Sequence, residues 1–150
     1  MKRVLLFVAV MAVILGVLWL LGNAPSAFVL EEECKRFQKE RRERDGALTV
    51  RIAKLEEEAL MGKPPVESLI GLKRERDGID RATRRTSMRG WDVILIPAGA
   101  ARPDPGDFLI HGRIDVSSRA DPARLRGEME VWIQPSGGLA KLVFWLGLSP

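Results

Sequence analysis

The feature that most constrains this chain is an uncharged apolar segment near its start. Residues 4–21 read VLLFVAVMAVILGVLWLL and include no charged side chain. In a helix these eighteen residues span about 27 Å, close to the roughly 30 Å of a bilayer's hydrocarbon core. A backbone in lipid must satisfy its hydrogen bonds within the segment, so a helix is expected. The sequence therefore predicts a transmembrane anchor over residues 1–22.

The flanks of this segment favour an uncleaved anchor. The apolar run is longer than the roughly 7–15 residues of a signal peptide core, although Ala24-Pro25-Ser26 remains an alternative cleavage region. A count of Lys and Arg near both ends places the bulk of the chain in the cytoplasm. However, the short N-terminal tail carries two positive charges, and residues 23–33 carry none. We therefore expect the bulk outside the cytoplasm, with the cytoplasmic orientation as the alternative.

Residues 23–89 are expected to form a charged helical stalk with a break at 62–65, where Gly62 precedes two prolines. An apolar stripe begins at Leu30, Cys34 and Phe37 but fades at Arg41 and Arg44. It resumes as two turns of a coiled-coil seam. The seam comprises Leu48, Ile52, Leu55 and Ala59. The break could alternatively fold the stalk into an antiparallel hairpin of two helices.

Four arginines near the end of this stalk have the spacing of one helix face. They are Arg81, Arg84, Arg85 and Arg89. Such a basic stripe could meet phosphates of lipid headgroups, nucleic acid or an acidic partner, whereas the simplest alternative is a solvated face. Nucleic acid is not expected, because the stripe has no interleaved aromatic residues that would stack on bases.

Residues 90–150 are expected to form a small, mainly antiparallel β domain. Residues 91–96 are apolar on both faces, residues 108–116 alternate, and Met129, Val131 and Ile133 face inward in a third strand. The apolar tail, residues 139–148, fits a last strand or a short helix that covers the sheet. Its Phe144, Trp145 and Leu146 must pack on the sheet, contact a partner or touch the membrane. The tail is too short to span a bilayer.

Composition offers little material for catalysis. The 150 residues include one histidine, one cysteine and no tyrosine. His111 is expected on a solvated strand face, and Cys34 as a small apolar seam residue. The net charge of +4 has its main surplus in residues 31–90, which carry 16 basic and 13 acidic groups. We therefore expect no enzyme activity, no cofactor, no metal and no small-molecule substrate.

The order of an anchor (residues 4–21), a helical seam and strands from Trp91 and residue 108 resembles the bitopic inner-membrane proteins of type II secretion and type IV pilus assembly. The resemblance is to the secretion protein M and pilus assembly protein O kind. It implies a non-enzymatic scaffold in the cell inner membrane that forms homo- or hetero-oligomers with another bitopic protein. It also implies a ferredoxin-like domain, whose helix between the second and third strands would come from residues 121–126.

Two other functions remain open from the sequence. One is a membrane-anchored lipid- or ligand-binding β domain in which Phe144, Trp145 and Leu146 line an apolar groove. The other is a cell-division protein of the FtsB and DivIC kind, which also joins an anchor to a short coiled coil. The expected fold class is α+β in all three cases.

Overall fold

The computed structural model describes residues 2–63, 68–102, 110–121 and 124–147, and it has an α+β fold. Within these ranges four helices accompany one four-stranded sheet. The helices are α1 (Lys2–Gly22), α2 (Ala27–Leu60), α3 (Leu69–Ile79) and α4 (Gly138–Trp145). The strands are β1 (Arg84–Met88), β2 (Trp91–Pro97), β3 (Ile110–Asp115) and β4 (Glu128–Pro135).

Helix α1 contains the apolar segment, and by length and composition it could cross a membrane. None of the apolar stretch that meets this criterion is buried against the rest of the chain. The expectation that the apolar segment forms a helix is therefore confirmed.

Helix α2 is continuous over 34 residues, or about 51 Å. The apolar stripe is interrupted between Phe37 and Leu48, as expected, but Arg41 lies on the same buried face as the residues before and after it. That face comprises Leu30, Cys34, Phe37, Arg41, Asp45, Leu48, Ile52 and Leu55. The near 3,4 spacing thus persists through the charged stretch, because Arg41 and Asp45 are buried with polar partners.

The hairpin alternative for the stalk is confirmed by the packing of α3 on α2. Lys73 pairs with Glu56 at 2.7 Å, and Glu75, further along α3, pairs with the earlier Arg44 at 2.7 Å. The two helices therefore run antiparallel. Ser68 caps α3 by accepting a hydrogen bond from the Gly71 amide at 3.2 Å. Part of the expected break, residues 64 and 65, lies outside the described residues.

The sheet has the strand order β1-β2-β4-β3, and all its neighbouring strands are antiparallel. Its inner face packs against the first half of α2. That core joins Leu30, Cys34 and Phe37 to Trp91, Val93, Leu95, Met129, Val131 and Ile133. The inward orientation expected for alternate residues of the third strand is thereby confirmed.

Strand β1 corrects two expectations. Arg84 and Arg85 lie in a strand, Arg81 follows the end of α3, and Arg89 lies in the β1–β2 turn, so these arginines form no helix face. The expected domain boundary between residues 89 and 90 is also wrong, because it cuts this hairpin. Strand β2 is a central strand, and pairing of its backbone with residues 84–88 satisfies hydrogen bonds that a longer helix α3 would leave open.

The ferredoxin-like domain implied by the resemblance is not formed. That fold has a helix between its first and second strands. Here the two residues Arg89 and Gly90 join β1 directly to β2. The described residues between β3 and β4, 116–121 and 124–127, contain no helix. The expected strand 108–116 is observed as β3, whereas Phe108 lies outside the described residues.

Candidate functional site

The candidate functional site is the junction at which the end of α1 enters the folded domain. Gly22 is buried there, and its carbonyl oxygen accepts a hydrogen bond from Nε1 of the fully buried Trp91 at 2.9 Å. A Cβ on Gly22 would lie 2.5 Å from Cγ2 of Val143 in α4. The close approach of α1 and α4 therefore requires glycine at this position.

The β1–β2 turn fixes the start of α4 at this junction. Arg89 and Gly90 have φ values of 51° and 81°, the left-handed conformation of a tight hairpin turn. The Gly90 carbonyl oxygen accepts hydrogen bonds from the amides of Ser136 at 2.8 Å and Gly137 at 2.7 Å. A Cβ on Gly137 would lie 3.0 Å from the Gly90 Cα, so the turn and the start of α4 are in direct contact.

The apolar tail forms α4, so the expectation of a short helix is confirmed, but its principal neighbour is α1 and not the sheet. Ala140 and Val143 are buried, and the Phe144 ring meets Trp91 edge-on with 6.4 Å between centroids. Trp145 remains 80% exposed, and Leu146 is 42% exposed. Of the three tail residues singled out from the sequence, Phe144 therefore contacts the junction core through Trp91.

A cleft of about 470 Å³ lies beside the junction. Its walls come from the end of α1, the link to α2, the start of α2 and the β1–β2 turn. They include Trp19, Asn23, Pro25, Val29, Met88 and Arg89. The tail residues Phe144, Trp145 and Leu146 are not among its lining residues, and a groove lined by them stays a prediction. Apolar walls with one arginine and one amide suit a ligand that is apolar with a polar or anionic end.

Most of the expected coiled-coil seam is buried by other residues of the same chain. Leu48, Ile52 and Leu55 are buried in a cluster with Leu72 and Ile79 of α3 and with Leu125. Ala59 lies beyond this cluster and is exposed. Leu48, Ile52 and Leu55 are therefore packed within the chain against α3, and the pairing of this seam with a second chain stays a prediction.

A buried polar cluster that sequence reasoning missed joins α2 to the end of α3 and to the segment before β4. Arg41, only 4% exposed, donates hydrogen bonds to Gln38 Oε1 at 2.7 Å, to the Ile79 carbonyl at 3.3 Å and to the Asp80 carbonyl at 3.4 Å. The Gln38 amide in turn donates to the Leu125 carbonyl at 3.1 Å. Burial lowers the pKa of Arg41 and raises that of Asp80. Apart from the bond between Arg41 and Gln38, which lies within α2, these contacts connect α2 to other parts of the fold, so their role is structural.

The four arginines have separate environments. Arg84 pairs with Glu40 at 2.8 Å, and its guanidinium lies 5.8 Å from the Phe37 ring centroid. Arg85 pairs with Asp92 at 3.2 Å on the outer face of the sheet. Of the four, only Arg89 lines the cleft.

The outer face of the sheet carries a band of side chains that is not covered by α2. Ile94, Trp132 and His111 are neighbours across β2, β4 and β3, and the His111 ring lies 4.4 Å from that of Trp132. Beside them Arg102 donates to Glu130 at 2.5 Å. This hydrogen bond is the main reason why the pKa of Glu130 lies below its ordinary value. We call Arg85, Ile94, His111, Arg113 and Trp132 the outer band.

No match was found among protein-family models, curated proteins or solved structures. Among the described residues, no group of three or more His, Cys, Asp or Glu side chains could hold a metal ion. The functional conclusion therefore depends on the junction and on the surfaces that it orients.

Proposed function

We propose that this chain is a non-enzymatic, single-pass membrane scaffold of a bacterial envelope assembly of the secretion or pilus type. The observation that carries the proposal is the hydrogen bond between Trp91 Nε1 and the Gly22 carbonyl, with Val143 packed on the same glycine. A helix that merely tethered the domain would need no such contact. An anchor built into the core holds the domain at a fixed height and orientation above the bilayer.

The outer band is the surface that we propose for partner contact. It combines aromatic, aliphatic and arginine side chains, which are the residue types enriched at the centres of protein interfaces. We favour it over the coiled-coil seam as the contact surface, because most of the seam packs against α3. The proposed partner is a second copy of this chain or another bitopic protein of the same membrane.

The proposed location is the cell inner membrane with the bulk of the chain in the periplasm, and the cytoplasmic orientation is the alternative. A cysteine at the exposed Ser87, in a Cys34→Ala background, reports on this orientation. Labelling of intact cells by a membrane-impermeant maleimide is expected. Labelling only after lysis would establish the cytoplasmic orientation.

Site-specific photo-cross-linking tests the scaffold function. A cross-linker at position 85 or 111 is expected to give a discrete adduct with another membrane protein or a second copy in intact membranes. The matched control is position 50, because Val50 on α2 is 72% exposed but distant from the outer band. Equal adducts from all three positions, or none from 85 and 111, would contradict the proposed contact surface.

The cleft favours one second candidate, a membrane-anchored lipid- or ligand-binding domain. Its lining residues Trp19 and Leu20 belong to the anchor, so the cleft would open beside the bilayer surface. Native mass spectrometry of the chain released from nanodiscs is the test. A bound lipid that is lost in Val29→Trp, which fills the cleft, would support this function over the scaffold. The cell-division alternative has less support, because proteins of that kind join an anchor to a short coiled coil and need no four-stranded sheet.

A further inference from the structure

We propose that α4 is an interfacial membrane helix that lies in the headgroup region beside α1 and holds the folded domain against the bilayer surface. This inference rests on the proposed anchoring by α1. It goes further, because an anchored domain can equally stand clear of the lipid. The observations concern the level of α4, its exposed face and its charge.

The level of α4 follows from its contact with α1. The apolar run of α1 ends at Leu21, and Gly22 is the residue on which Val143 packs. Helix α4 is therefore placed where the apolar surface of the anchor ends, which is the boundary between hydrocarbon and headgroups. Its eight residues are about 12 Å long, so it can lie within this boundary but cannot cross the bilayer.

The exposed face of α4 is apolar and aromatic. Leu142 and Leu146 are each 42% exposed and Trp145 is 80% exposed, whereas Ala140 and Val143 face the junction. Neighbouring α1 residues are also exposed, including Leu20 at 64% and Leu21 at 54%. The exposed face therefore continues the apolar surface of the anchor, and this continuity favours lipid over a protein as its occupant. Tryptophan suits the position because its ring is apolar and its indole N–H can reach headgroup oxygens.

The charge of the segment agrees with this placement. Residues 138–147 include one lysine, Lys141, and no acidic side chain. Lys141 is exposed and precedes Trp145 by four residues, so the two lie on the same side of the helix. A lysine there can extend its ammonium to lipid phosphates while its alkyl chain lies along apolar surface. The hydrogen bonds from Ser136 and Gly137 to Gly90 fix the start of α4, so the face is held in place.

The test uses the full chain in phosphatidylcholine–phosphatidylglycerol vesicles. In a Cys34→Ala background, Trp145→Cys carries an environment-sensitive NBD fluorophore. Quenching by lipids with a nitroxide at a shallow or a deep acyl position then reports its depth. Val50→Cys is the matched control, because Val50 is an exposed apolar residue on α2 that lies about 35 Å along the helix from Ala27. Both positions are exposed, so the label does not replace a core contact.

The expected result is a blue-shifted emission at position 145 that the shallow nitroxide quenches more strongly than the deep one, with no quenching at position 50. Water-exposed, unquenched fluorescence at position 145 would overturn the proposal. A blue shift without lipid quenching would also overturn it, because the occupant would then be protein. Flotation of the same vesicles distinguishes the proposed anchoring by α1 from the proposed interfacial position of α4. A chain that floats but leaves position 145 in water refutes only the role of α4, whereas a chain that does not float refutes the anchor as well.

Discussion

Replacement of Arg41 by alanine should destabilise the domain by about 3–5 kcal/mol, because it removes several charge-assisted hydrogen bonds and leaves their buried acceptors without a donor. The guanidinium is 4% exposed and donates to Gln38 Oε1 at 2.7 Å and to the carbonyls of Ile79 and Asp80 at 3.3 and 3.4 Å. A hydrogen bond to a charged group contributes about 1.5–3 kcal/mol. The bonds to the carbonyls of Ile79 and Asp80 are long, and so is a further one to the Arg126 carbonyl at 3.5 Å, so each of these should contribute less than this range and the short bond to Gln38 the largest share.

The assay is urea unfolding of the full chain in nanodiscs, followed by tryptophan fluorescence. Its matched control is Arg44→Ala, one turn further along α2, which removes a pair with Glu75 of similar length but with 66% exposure of the arginine side chain. That exposed pair should contribute less than about 1 kcal/mol. A loss below 1 kcal/mol for Arg41→Ala, or equal losses for both variants, would refute the reasoning that the buried arginine joins α2 to α3.

Three further outcomes are expected. Gly22→Ala should lower the free energy of unfolding by about 1–3 kcal/mol because its Cβ meets Val143, whereas Gly16→Ala in the same helix has open space and should be neutral; equal urea midpoints would contradict this. In the native chain Cys34 should react with maleimide far more slowly than after denaturation, because its thiol is buried and burial, with Glu33 and Glu31, raises its pKa to about 11; equal rates by mass spectrometry would count against its placement in the core. The pKa of Glu130 is lowered in the folded chain. Its contribution to folding stability is therefore fully present above its ordinary pKa of 4.5 and is lost as the pH falls through the lower pKa of the folded state. Melting temperatures should therefore fall more steeply below pH 4.5 for the wild type than for Glu130→Gln, and parallel curves would show that Glu130 is uncoupled.

The elements with a clear period were predictable from the sequence. In residues 128–134 the aliphatic Met129, Val131 and Ile133 occupy alternate positions, and their inward orientation followed directly. The apolar run of α1 was equally clear. In both cases the local pattern alone was sufficient to predict the secondary structure.

Arg41 and the arginines of β1 show where local patterns fail. A charged residue at a core position looks like an interruption in the apolar stripe of a helix unless its hydrogen-bond partners are known. Two of the partners of Arg41 are backbone carbonyls 38 and 39 residues away. Arg84 and Arg85 fit a helical spacing, but pairing with β2 decides their structure. Neither signal is present within a single window of sequence.

The candidate site was hidden for the same reason. Trp91 was expected in a buried strand, which is correct, but nothing near it in the sequence indicates a hydrogen bond to a residue 69 positions earlier. Glycine is needed at positions 22 and 137 because α4 closely approaches α1 and the β1–β2 turn there, and this approach is visible only in the folded structure. A glycine next to an apolar run was the only local sign.

The contact of α4 with the end of α1 can form only late in the synthesis of the chain. Helix α1 leaves the ribosome before the four strands and α4 leaves after them, so the junction closes only once all of these elements have been translated. Until then the indole of Trp91 and the carbonyl of Gly22 lack each other as partners. Under the proposed anchoring by α1, the last residue of this helix therefore acquires its final environment only after α4 has been made. A nascent chain halted before residue 138 should be integrated in the membrane yet remain sensitive to protease around the junction.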